Sequence, residues 1–284
     1  MIGGYPSALE VDVEIVELSP SGGNPCPKPA DLPEPMRGAI GAYVNGKIIV
    51  CGVLGGSNCY VYSFATRQWE KTVSWGSDRS DSASAVVDDT TWWIAGGFGG
   101  SYLNDSLVYN GATFSPGPPL PYAAYSACAV KVNETHVFLG GGFDGTEYLA
   151  AAYLLEWATG AWTQLPDMAA GRRAHTCNVV GGDVVVVGGY DGANLGSSEI
   201  FSLASNSWSA GPGVPSSSGM LAFAKSAQSP DSFNIVGGFD GENYLDEIFE
   251  FDPETYSWRT SDKTLSAARE DHVVVAVPED SAHC

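Results

Sequence analysis

Basic residues are scarce in this 284-residue chain: 13 Lys and Arg stand against 33 Asp and Glu, a formal charge of −20. Such a surface repels phosphate backbones and anionic lipid at long range, so nucleic acid is disfavoured as a partner. Solubility is the simplest use of the acidity, with attraction for cationic partners as the functional alternative. Apolar runs are short, none nears membrane-spanning length, and no membrane insertion is expected. Met1 is followed within two residues by strand-like sequence rather than by a charged and then apolar leader. Helical periodicity is nowhere sustained. Histidine is rare, with four in all, and none stands at the close His-x-His or His-x-x-x-His spacing of a metal site. A Gly-x-Ser-x-Gly elbow is missing, and the glycine-rich stretches open into strands rather than helices, which excludes a phosphate loop. The expectation is therefore no cofactor, no metal and no catalytic residue.

What the chain does contain is one signal six times over: a hydrophobic run ending in a small-residue pair, then a turn, an alternating stretch and usually a Trp. The pairs end at Gly4, Val53, Gly97, Gly142, Gly189 and Gly238, so the steps are 49, 44, 45, 47 and 49 residues. That is the period of stacked or radial repeats. The stretch after Gly238 together with the first four residues makes one further period, which suggests a ring rather than a capped solenoid. Within a unit, short runs rich in Val, Ile, Phe and Tyr alternate with Gly, Pro, Asn and Asp clusters, the pattern of four short strands. A Gly pair at a strand end permits positive φ and close approach of a neighbouring strand, and each Trp supplies apolar area that one small sheet could not bury alone.

The fourth unit reads HVFLGGG, FDGTEY, YLLEW, AWTQLPDM; the fifth VVVVGGY, DGANLG, SSEIFSL, NSWSAG; the sixth FNIVGGFDGENYLDEIFEFDPETYSW. This resembles the kelch repeat over the whole chain, in spacing, doublet and Trp. The resemblance implies an all-β, six-bladed kelch-type β-propeller with four antiparallel strands per blade, one domain over 1–284. Blade one is expected to take its inner strand from Asp271 to Val277 and its second strand from the N-terminus, so that the C-terminal strand closes the ring. Blade one lacks an outer Trp, blade two has Gly52-Val53 in place of the doublet and blade three has Phe114 in place of Trp; these early blades should be the least regular.

The few cations are not scattered. Arg37, Arg79, Arg172 with Arg173, and Arg269 stand at the entrances to inner strands in four blades, with Tyr122 and Ser217 at the other two. Either each Arg bonds loop carbonyls or a neighbouring carboxylate, since the guanidinium fork suits buried acceptors, or they form a partial ring around the channel mouth that binds a carboxylate or acidic peptide. The turns Phe143-Asp144-Gly145, Tyr190-Asp191-Gly192 and Phe239-Asp240-Gly241 are first of all turn chemistry; for Phe98, Phe143, Tyr190 and Phe239, burial between blades and exposure at a binding face are about evenly balanced. His175 and His272 each follow an entrance Arg by three residues; that repetition argues for packing, the alternatives being that His175 joins the ligand-binding arginines or that both histidines take a metal with Asp271 as third ligand.

Of six cysteines, Cys51 and Cys59 are placed on two arms of one hairpin, where a bridge is possible. Cys128 and Cys177 occupy equivalent inner-strand positions and are expected as small apolar side chains. Cys26 and Cys284 belong to blade one and its tail, where a bridge would lock closure. Sequons stand at Asn104 and Asn133, a number that chance explains. Low Lys content and the hairpin cysteines lean toward a secreted, oxidising location over a cytoplasmic one, while the want of a leader in this sequence leans the other way. The resulting expectation is a monomeric, non-catalytic module that binds a protein or peptide partner through loops on one face, an acidic one if the arginines form a ring. The competing classes are a kelch-fold enzyme and a secreted structural or matrix protein. The enzyme would be a copper-type carbohydrate oxidase, for which Cys128 or Cys177 is the residue to name, or a metal-dependent specifier protein. Related propellers also recruit partners for a separate BTB region.

Overall fold

A computed structural model describes residues 28–277 except 36–37, 53–55, 73, 216–221 and 226–232, with 222–225 described in backbone alone. Five four-stranded antiparallel sheets follow one another along it, each with its strands in chain order. Blade two holds β1 (Ile40–Val44), β2 (Lys47–Cys51), β3 (Cys59–Ser63) and β4 (Gln68–Lys71), and blade three β5 (Ala83–Asp88), β6 (Thr91–Ala95), β7 (Ser106–Tyr109) and β8 (Phe114–Pro116). Blade four holds β9 (Cys128–Lys131), β10 (His136–Gly140), β11 (Ala152–Glu156) and β12 (Ala161–Gln164), and blade five β13 (Thr176–Val180), β14 (Asp183–Val187), β15 (Ser198–Ser202) and β16 (Ser207–Ala210). Blade six holds β17 (Ala222–Lys225), β18 (Phe233–Phe239), β19 (Tyr244–Asp252) and β20 (Ser257–Thr264). The protein is an all-β propeller.

Both faces of each blade are buried, which is why the second strands are unbroken apolar runs rather than alternating ones. In β14, Val184 and Val186 join the cluster shared with blade four, and Val185 and Val187 the one shared with blade six. Trp93 in β6 packs toward blade four, while Trp92 and Ile94 pack toward blade two. The period of two that gives a strand its two faces here lets blades three, four and five each pack on two neighbours. The outer-strand tryptophans do more than fill space: Trp69, Trp162 and Trp208 donate their indole N–H to the carbonyls of Ala30, Pro119 and Pro166 at 2.9, 2.8 and 2.7 Å, tying each blade to the segment that leads into it. The Gly doublets sit where blades approach. A Cβ on Gly141 (φ +66°) would lie 2.7 Å from Arg172 O, and one on Gly237 (φ +62°) 2.6 Å from Arg269 O, so both space and backbone conformation require glycine.

Five blades are seen against the six expected. The N-terminal strand expected in blade one lies outside the described residues, and Asp271 to Val277, expected as its inner strand, carries a bridge at Val273 but no strand. The segment is nonetheless packed. Val273 and Val275 join the cluster of Leu32, Val50 and Tyr60 on blade two, while Val274 packs against Val236, Ile248 and Leu265 of blade six.

Cys51 and Cys59 are directly opposed on β2 and β3 and are disulfide-bonded, with a Cα separation of 4.2 Å, that of a close antiparallel pair. Cys128 and Cys177 correct the sequence expectation. They are not packed thiols but are bonded to each other across 49 residues, joining the innermost strands of blades four and five. Equivalent positions on neighbouring inner strands are adjacent in space, a relation that repeat alignment contains and that the apolar character of cysteine obscured. Cys26 and Cys284 lie outside the described residues.

Candidate functional site

Because strands alternate in direction, the links between second and third strands emerge at one end of the ring together with the blade entrances. The other two hairpins of each blade emerge at the opposite end. At that far end β1–β2 and β13–β14 turn through Asn45–Gly46 and Gly181–Gly182, with all four residues at positive φ, as two-residue type I′ turns demand. The entrance end carries the residues singled out above.

Its arginines divide into two kinds. Arg79, Arg172 and Arg269 are 2%, 0% and 1% exposed. Arg79 donates to the Gly96 carbonyl at 2.5 Å and, through Nη2, to Asp105 at 2.8 and 2.9 Å. Arg172 donates to the Gly188 carbonyl at 2.8 Å and to Glu199 at 2.6 Å; Glu199 also accepts the backbone N–H of Ala169 at 2.7 Å. Arg269 donates from Nε to the Ala267 carbonyl at 3.3 Å. In blade four Tyr122 substitutes for the guanidinium, its hydroxyl donating to Gly141 O at 3.0 Å. The first carbonyl of the doublet is thus satisfied by Arg, Tyr and Arg in blades three, four and five. Arg37 and Ser217 lie outside the described residues.

Arg173 is placed differently. It is partly exposed, and its guanidinium carbon lies 5.6 Å from the Tyr125 ring and 5.4 Å from the Tyr190 ring, within cation–π range. It has no ion pair among the described residues. The aromatic residues after the doublets each bridge two segments by backbone pairing: Phe98 with Ser80 and Tyr102, Phe143 with Tyr125 and Tyr148, Tyr190 with Arg173 and Asn194. Their rings form a half-exposed band across blades three to five. Phe98 meets Tyr102 at 5.3 Å, Tyr102 meets Tyr125 at 5.8 Å and Phe143 at 5.5 Å, and Tyr148 meets Phe143 at 5.2 Å and Tyr190 at 5.7 Å. Phe98 and Tyr102 are 38% and 37% exposed. Phe239 packs on Tyr244 at 5.2 Å, and its carbonyl accepts the Asn194 amide at 3.0 Å.

The rim beneath this band is stitched by backbone. Asp81 N–H donates to Gly38 O at 2.7 Å, Ser126 N–H to Asp81 O at 2.8 Å and Ala174 N–H to Ser126 O at 2.8 Å, linking successive blades. Asp81, Ser126 and Ala174 all have left-handed backbone, at φ 52°, 51° and 53°, an unusual conformation for residues with a Cβ. Burial raises the Tyr125 phenol pKa; the charges of Asp81 and Asp271 add to this and Arg173 opposes it. In the Asp-Gly turns, Asp144 accepts the N–H groups of Thr146 and Glu147 at 2.7 and 2.9 Å, and Asp240 those of Glu242 and Asn243 at 2.8 and 2.7 Å. These donors hold both carboxyls below their ordinary pKa.

His175 and His272 are buried, and their pKa is pushed down to about 3 by burial first and by Arg172 and Arg269 next. Both lean on a preceding doublet: a Cβ on Gly141 would meet the His175 ring, and one on Gly237 would lie 2.9 Å from His272 Cε1. Among the described residues no His, Cys, Asp and Glu group has metal-site geometry, and Cys128 and Cys177 are spent on each other.

Sequence reasoning missed Tyr102, Tyr125, Tyr148 and Asn194. Tyr125 stands at the same place in its entrance as Arg173 in the next, and the other three follow a doublet aromatic by four or five residues. That recurrence was the available signal.

The description "KLHDC2/KLHL20/DRC7 Kelch-repeats domain" belongs to a family model that matches residues 112–282, more than half of the chain. The chain is a kelch-repeat protein. A curated relative, spermatocyte protein spe-26 of Caenorhabditis elegans, is 33% identical over 110 residues, which is 38% of this kelch chain and 19% of that protein. Among the described residues no helix is long and apolar enough to cross a membrane.

Proposed function

We propose that this kelch propeller is a monomeric, non-catalytic binding module whose entrance face holds a protein or peptide segment bearing an acidic group. The observation that carries this reading is the contrast between neighbours: Arg172 is consumed by internal acceptors, whereas Arg173 stands between two tyrosines with no carboxylate paired to it among the described residues. The aromatic band supplies flat, rigid contact area around that charge. A partner carboxylate would take the guanidinium fork bidentately, and its apolar flanks would lie on Phe98, Tyr102 and Tyr148.

A sixth wedge between blades six and two belongs to the same proposal. Its support is the alternate packing of Val273, Val274 and Val275 and the bond from Trp69 to Ala30, equivalent to those from Trp162 and Trp208 into the preceding links. Gly238 also donates to Arg269 O at 2.8 Å, as Gly142 does to Arg172 O at 2.7 Å.

The test is an array of acidic, neutral and basic peptides probed with the purified chain. Acidic peptides should be retained, with Arg173→Ala and Tyr102→Ala each weakening them roughly tenfold or more. Preference for basic peptides, or binding indifferent to Arg173, would overturn the reading.

A further inference from the structure

The end of the ring opposite the aromatic band carries a feature unrelated to binding at the entrance face. The loop between β9 and β10 holds the sequon Asn133-Glu134-Thr135, and all three residues are exposed. Its geometry is fixed by one oxygen. Asn133 Oδ1 accepts the Thr135 backbone N–H at 2.9 Å, the Thr135 hydroxyl at 3.0 Å and the His136 backbone N–H at 2.9 Å. The amide nitrogen Nδ2 has no acceptor among the described residues. The carboxamide is thus held by its oxygen, with its nitrogen free and the sequon hydroxyl in contact with it.

The other sequon, Asn104-Asp105-Ser106, has none of this. The Ser106 hydroxyl is buried and donates to Pro118 O at 2.6 Å, and the Asn104 carbonyl accepts the Leu120 N–H at 2.8 Å. It also lies two residues from Tyr102, where a glycan would sit over the aromatic band.

A second observation bears on compartment. Among the described residues two disulfides are present and no cysteine is free, the state of proteins that mature in an oxidising lumen, where N-glycan transfer takes place.

We propose that Asn133 is an N-glycan attachment site and that Asn104 is not. In the transfer, Asn133 Nδ2 bonds to the anomeric carbon of an oligosaccharide carried on a lipid diphosphate. The carbon–oxygen bond to the diphosphate breaks, the lipid diphosphate leaves with the electron pair, and one amide proton passes to a base of the transferring enzyme. A glycan so placed projects from the far end of the ring and leaves the entrance face open.

The test uses the full-length protein purified from the cells that make it. Treatment with a peptide N-glycosidase should produce a discrete gain in gel mobility, and peptide mapping should find Asn133, and not Asn104, converted to Asp. Asn133→Gln and Thr135→Ala should each abolish the shift, Thr135→Ser should retain it and Asn104→Gln should leave it unchanged. An unmodified Asn133 in the native protein, or a glycan on Asn104 alone, would overturn the proposal. Neither result bears on the acidic-peptide reading, which rests on the opposite face.

Discussion

Two consecutive arginines show how completely a side chain's role depends on where its backbone points it. Arg172 enters the blade and meets the carbonyl of Gly188 and the carboxylate of Glu199; Arg173 turns outward between Tyr125 and Tyr190. Arg172→Ala should therefore cost about 3–5 kcal/mol, since it leaves Glu199 charged in a buried site. Arg173→Ala should stay within roughly 0.5 kcal/mol of the parent; denaturant titration of both variants checks this. The buried histidines set a pH response. With folded pKa values of about 3 for His175 and His272, against ordinary values near 6.5, the fold binds fewer protons than the unfolded chain below pH 6.5. Their contribution is complete above that pH and declines as acid is added toward pH 3, by at most about 1.4 kcal/mol per pH unit for each. Melting temperature should fall between pH 7 and pH 5, and His175→Gln with His272→Gln should shrink the drop; an unchanged drop contradicts it. The repeated Arg to His spacing points to a shared role, and in the structure both rings lie against glycine. Which Arg of the pair was internal was not legible, because sequence places both at the entrance and only the strand's register with Gly188 separates them.

At the level of strands and blades, the doublet, the alternation and the outer Trp were all visible in the sequence, since each is a short-range pattern with one physical cause. The partner of each Trp was not. Indole N–H groups reach Pro119 and Pro166, some forty residues away, and only the arrangement of successive blades brings these together. The same limit hid the bond between Cys128 and Cys177, which clamps β9 to β13 at the innermost radius. Replacing both cysteines with Ser should lower stability by about 2–4 kcal/mol, measured under non-reducing denaturation. The Cys51–Cys59 bridge closes a short loop within one hairpin, so its loss should cost less.

For the molecule as a whole, the repeat length sets an expectation of six wedges, the sixth drawing its strands from both ends of the chain. The described residues give five blades, with Val273 to Val275 lying between the faces of blades six and two. Removing the last fifteen residues deletes Val273 and Val275 with their packing on Val50 and Tyr60, and uncovers Val236 and Ile248. That truncated chain should lose cooperative melting and expose enough apolar surface to bind a hydrophobic dye. A truncated chain as heat-resistant as the parent would contradict a ring closed by this segment.

The tight Gly181–Gly182 turn lies at the end remote from the aromatic band, and β13 and β14 on either side of it are held by blades four and six as well as by each other. Connectivity there is dispensable in a way that it is not at the entrances. A circular permutant with new termini at this turn and the old ones joined by a flexible linker would keep every recognition loop intact, and would offer both chain ends for fusion or surface attachment with the Arg173 face pointing outward.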